Sequence, residues 1–72
     1  MTYQEAKEKF NAELRDNAEL IRVANHYGMT IDRAVILIQP NLKVLRYRNG
    51  MIKEVSVNIS DSSMNIKHKI NF

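Results

Sequence analysis

The hydrophobic period changes once along this chain, and that change constrains the fold more than any other feature. Up to Gly28 the apolar residues recur every three or four positions. Tyr3, Ala6, Phe10 and Leu14 form one stripe, and Leu20, Ile21, Ala24 and Tyr27 form a second. Such spacing places side chains on one face of a helix. From Leu42 onward the apolar residues alternate with polar ones instead, as they do in half-buried strands. Helices first and strands afterwards predict an α+β fold, with an N-terminal helix or helical hairpin packed on a three- or four-stranded antiparallel sheet.

Local signals mark the boundaries. Thr2 followed by Glu5 has the form of a capping box at a helix start. The polar stretch Arg15-Asp16-Asn17-Ala18-Glu19 leaves two readings: one helix over 2–27, or two helices meeting near residue 16, with Asp16 capping the second. Gly28 ends the helical signal. Asn49-Gly50 predicts a two-residue type I′ hairpin turn. That turn pairs Arg48 with Met51, Arg46 with Lys53, Val44 with Val55 and Leu42 with Val57. Asp61-Ser62-Ser63 is a turn cluster, after which Ile66, His68, Ile70 and Phe72 share one side of a strand. Strands are therefore expected at 42–48, 51–59 and 64–72, their inner face meeting Tyr3, Phe10, Leu14, Ile21 and Ala24. Residues 30–39 remain open between a helix capped by Thr30 and a fourth, β-branched strand, because an apolar run this short fits both periods.

Length narrows the classes. A chain of 72 residues with no cysteine and two histidines has no disulfide and little to hold a structural zinc ion. One domain over 1–72 is expected, stabilised by a well-idealised core or by self-association into a homodimer. The longest apolar run, Ala34 to Ile38, falls far short of the roughly 20 residues needed to span a bilayer. The N-terminus lacks the basic flank and apolar run of a secretory leader, so a cytoplasmic location is expected. Charge is divided unevenly: residues 1–32 hold four basic and six acidic side chains, and residues 33–72 hold seven basic and two acidic. A basic C-terminal part suggests an anionic partner.

Read as a helix, the segment Val23-Ala24-Asn25-His26-Tyr27-Gly28-Met29-Thr30 through Leu37 resembles the helix-turn-helix of small bacterial and phage DNA-binding proteins, over residues 20–39. Ala24 stands where that motif has a small residue at the helix crossing, and Gly28 at its left-handed turn. Met29 stands at the apolar plug and Thr30 at the cap of the second helix. The resemblance implies that this second helix enters the major groove, presenting Thr30, Ile31, Asp32, Val35, Ile36 and Gln39, with Arg33 beside them. The hairpin that follows resembles the wing of the winged variety. Arg46 and Lys53 face each other near its tip, with Arg48 and Asn49 at its end. Like charges directly opposite are destabilising, and a phosphate nearby relieves that repulsion. DNA is thus the implied partner, with Thr30, Arg33, Gln39, Arg46, Arg48 and Lys53 as its contacts.

The outward sheet face supplies an alternative. Lys43, Leu45, Tyr47 and Ile52 point away from the core side, joined by Lys67 and Lys69. RNA-binding sheets generally stack bases on two or three aromatics, whereas this face offers Tyr47 alone. A partner-protein interface fits these residues better, as in compact phage or mobile-element proteins that bind and inhibit a host protein. Catalysis has little support. Ser56, Ser60, Ser62 and Ser63 lack an evident base; alternation sends Glu54 and Tyr47 to one face and Arg46 and His68 to the other. No enzyme activity, cofactor or metal is expected. A small non-catalytic DNA-binding regulator ranks first, because its signals come from two separate stretches.

Overall fold

The computed structural model describes residues 1–72 and has three helices followed by a three-stranded antiparallel sheet. Helix α1, Tyr3–Leu14, begins with the capping box: the Glu5 N–H donates to Thr2 Oγ1 at 3.1 Å and the Thr2 N–H to Glu5 Oε1 at 2.9 Å. Helix α2, Ala18–His26, is separate from α1. Its cap is Asn17, not Asp16. The Asn17 carboxamide accepts from the Leu20 N–H at 3.0 Å and donates to the Lys67 carbonyl at 3.0 Å. A carboxylate accepts but cannot donate, so only the amide both starts α2 and ties the junction to the sheet.

The turn after α2 settles residues 30–39. Gly28 has φ +65°, the left-handed conformation in which a Cβ is strained. The Met29 N–H reaches back to the Ala24 carbonyl at 2.9 Å and the Gly28 N–H to the Asn25 carbonyl at 3.2 Å. That pair of bonds is a Schellman motif. Thr30 then caps helix α3, Ile31–Ile38, by accepting the Arg33 N–H at 3.1 Å. There is no fourth strand. Ala34, Val35 and Ile38 are buried, and a 3-10 turn, Gln39–Asn41, leads into the sheet. No helix is long and apolar enough to cross a membrane.

Strands β1 (Lys43–Arg46), β2 (Ile52–Ser60) and β3 (Asn65–Asn71) lie in the order β1-β2-β3. The hairpin between β1 and β2 differs from the expected one. Gly50 has positive φ, +90°, but Asn49 does not, so the turn is not type I′. Instead the Gly50 N–H closes on the Tyr47 carbonyl at 2.9 Å and the Tyr47 N–H on the Met51 carbonyl at 2.7 Å, leaving a three-residue loop. Arg46 therefore pairs with Ile52. Further along, Leu45 pairs with Glu54 and Val44 with Val55, so Lys53 is an extra residue, a β-bulge. The bulge cancels the shift introduced by the longer loop and restores the expected register beyond it. It also reverses the side-chain parity between Ile52 and Val55.

One face of the sheet is covered. Phe10, Leu14 and Leu20 from the helices are fully buried and meet Val55, Val57, Ile66 and Ile70. Tyr3 and Ile21, expected in this core, lie outside the fully buried set. Tyr3 is exposed, and Leu20 takes the inward position beside Ile21. Polar clips orient the helices. Asn11 and Gln39 exchange amide hydrogen bonds of 3.3 and 3.1 Å, and Arg15 Nε donates to Asp32 Oδ1 at 2.8 Å, so α1 and α3 run antiparallel. Glu19 accepts from Arg22 at 2.7 Å and from the Asn65 N–H at 3.0 Å, joining α2 to the start of β3.

The Arg22 guanidinium, with help from the Asn65 N–H, lowers the Glu19 pKa from 4.5 to about 2. A carboxylate depressed by folding stabilises the fold above its unfolded value, and this contribution is lost as pH falls through its folded value. The α2–β3 link therefore holds above about pH 4.5 and loosens towards about pH 2. An NMR titration of the Asn65 amide should show its largest shift near the lower value. A midpoint at the ordinary carboxylate value would mean that Glu19 is not held in this way.

Candidate nucleic-acid interface

The expected contact residues fall into three groups. Arg33 on α3 and Arg48 at the hairpin tip are exposed, and neither side chain has a hydrogen-bond or acidic partner within the chain. Thr30 is exposed, but its hydroxyl is engaged in capping α3. Gln39 is turned inward: it is half-buried, and its amide donates to both Asn11 Oδ1 and the Val35 carbonyl. Val35, also expected on the outer side of α3, is buried, and Ile31 packs against the core. What α3 turns outward is Asp32, Arg33, Ile36 and Leu37, with Asp32 paired to Arg15.

At the hairpin, Arg46 and Lys53 do not face each other, because the three-residue loop places Arg46 opposite Ile52 and Lys53 is the bulged residue. Arg46 Nη1 donates to the Gly50 carbonyl at 2.8 Å, and its guanidinium lies 6.0 Å from the Tyr3 ring centre. Lys53 Nζ sits 5.9 Å from the centre of the Tyr47 ring. Both cations therefore rest on aromatic faces and stay exposed, instead of repelling each other.

The alternative interface is broken up by the same bulge. Lys43, Leu45 and Tyr47 are exposed, but Ile52 is only 4% exposed and belongs to the core. The Tyr47 hydroxyl is tied to the Phe72 carbonyl at 3.3 Å.

A feature that sequence alone did not reveal is how the charges are used. Most carboxylates are engaged internally. Glu5 closes the capping box, Glu13 lies 2.9 Å from His68, Glu19 holds Arg22, Asp32 holds Arg15, and Asp61 accepts the N–H groups of Ser63 and Met64. Those hydrogen bonds lower the pKa of Glu5 and Asp61 as well. Of the lysines and arginines in residues 33–72, only Lys69 approaches a carboxylate, Glu54, at 4.0 Å. Arg33, Lys43, Arg46, Arg48, Lys53 and Lys67 have none. Six of the seven lysines and arginines in residues 33–72 are therefore left without a carboxylate partner in the chain.

Beside α3 lies a wholly apolar groove of about 210 Å³, walled by Val23, Tyr27, Leu37 and Met64 among others. Tyr27, Ile36 and Leu37 are 53, 60 and 49% exposed.

Ile52→Asp puts an unpaired carboxylate into the core and should cost well over about 3 kcal/mol. Tyr47→Ala removes one exposed hydrogen bond and should cost less than about 1 kcal/mol. Urea denaturation of the two variants checks this, and equal small losses would place Ile52 at the surface. No protein-family model, curated protein or solved structure matches this chain.

Proposed function

We propose that this chain is a small non-catalytic DNA-binding regulator, in which α2, the Gly28 turn and α3 act as a helix-turn-helix. The observation that carries this reading is the set of basic side chains on α3 and the hairpin, Arg33, Arg46, Arg48 and Lys53, none of which has a carboxylate partner within the chain. Phosphate contacts supply most of the affinity of such proteins and fix their register on the duplex. The turn geometry adds support, since α2 and α3 meet through a glycine in the left-handed conformation. Arg33 is the one cation on the outward side of α3, flanked by Ile36 and Leu37. Apolar side chains in a major groove contact thymine methyl groups but give no hydrogen-bond readout. Binding is therefore dominated by phosphate, with modest sequence preference.

A second reading, binding of a partner protein, is favoured by the exposed Tyr27, Ile36 and Leu37 beside the apolar groove. Salt separates the two. Fluorescence anisotropy with a labelled random duplex should show affinity falling steeply between about 50 and 200 mM salt, with a log–log slope near −0.9 per phosphate contacted. Arg33→Gln with Arg48→Gln should flatten that slope by about 2. No binding at the lower salt, or binding indifferent to salt, would overturn the DNA reading and leave the protein partner.

A further inference from the structure

We propose that the outer face of the β-sheet is a second DNA contact, which grips the phosphate backbone of a separate duplex segment so that one chain bridges two segments. This inference rests on the DNA-binding reading for its class of partner, but on a different surface for its evidence. The helices pack on one face of the sheet only, with α1 against β2 and β3 and α2 against β3. The opposite face is bare. Lys43, Ser56 and Lys69 lie in one row across the three strands, and Asn58 and Lys67 in the next row across β2 and β3.

The side chains of Lys43, Ser56, Asn58 and Lys67 make no hydrogen bond within the chain, and Lys69 has only the 4.0 Å approach of Glu54. A shallow hollow of about 410 Å³ lies between Ser56, Asn58, Lys67 and Lys69. Residues two apart on a strand are about 6.6 Å from each other, and alternate strands about 9.6 Å apart. Lys43, Lys67 and Lys69 thus form a flat triangle of cations around neutral hydroxyl and amide groups. Such a face complements a surface that carries closely and regularly spaced negative charge.

The chemistry selects duplex DNA over a single strand. Proteins that hold single strands stack bases on aromatic side chains, and this face has no aromatic residue in either row. Tyr47, the nearest candidate, is turned to the Phe72 carbonyl and covered on one side by Lys53. A duplex offers its phosphates on a rigid rod and needs no stacking partner. Helix α3 packs on α2, which lies on the covered side of the sheet, so a duplex seated on α3 and one seated on the outer face approach from different sides. The two contacts therefore belong to two segments.

The test uses the full chain with a duplex tethered to beads and a second, labelled duplex in solution. Wild-type protein should carry the labelled duplex to the beads. The triple variant Lys43→Gln, Lys67→Gln, Lys69→Gln should lose at least tenfold of that bridging while still binding a single duplex by anisotropy. The three side chains are exposed, so the variant should melt like wild type. Bridging that persists in the triple variant, or is absent in wild type that binds a single duplex, overturns the proposal and leaves the α3 reading intact. A wild-type chain that binds no duplex in anisotropy overturns both.

Discussion

The burial of Phe10, Leu14 and Leu20 against Val55, Val57, Ile66 and Ile70 is the interaction on which the rest depends. It is non-directional, worth roughly 25 cal/mol per Å² of apolar surface removed from water, and it sets no angle between the layers. The angles come from polar clips at the margins. Asn17 fixes the α1–α2 junction to the Lys67 carbonyl, Glu19 fixes α2 to Asn65, and the Asn11–Gln39 amide pair fixes the end of α3 to α1. Each is partly solvated, so each contributes little energy. Together they choose one arrangement among those the core would tolerate.

These clips have an electrostatic by-product. Carboxylates recruited to hold helices and turns are no longer available to neutralise the sheet and hairpin. The basic character of residues 33–72 is thus sharpened by the architecture of residues 1–32. The acids that stabilise the helical layer thus leave most cations of the sheet and hairpin without a carboxylate partner within the chain.

Features decided by near neighbours were legible in the sequence. The capping box at Thr2 and Glu5, the glycine turn at Gly28 and the alternation of β3 all depend on residues within a few positions. The helix at Ile31–Ile38 was open because its β-branched residues fit a strand as well. Intrinsic preferences differ by less than about 1 kcal/mol per residue, and the Schellman turn with the Thr30 cap outweighs them. The hairpin departs from the expected one in two ways that cancel: a three-residue loop and the Lys53 bulge together restore the register at Val44 and Val55. A trace of the bulge is visible in the chain itself. Ile52 and Val55 are three apart, so strict alternation cannot bury both, and both are buried. Gln39 gave no such signal, because its partner Asn11 is 28 residues away. The candidate site was half legible for the same reason: the excess of cations could be counted, but which of them lack counter-charges depends on tertiary approach.

The clip from α2 to β3 has a further effect at the sheet's margin. β3 is an edge strand, and an exposed edge is a template for pairing with another chain. Here the Asn65 N–H is already given to Glu19, and the Lys67 carbonyl already accepts from Asn17. A visiting strand would have to displace both side chains before it could form a ladder. The opposite edge, β1, has only four residues and is paired across a bulge that twists it. Lateral pairing is therefore hindered at the Asn65–Lys67 end of β3, and β1 offers only a short edge. The helix-start residues that hold the layers together thus also hinder the edge-to-edge pairing that threatens small open sheets.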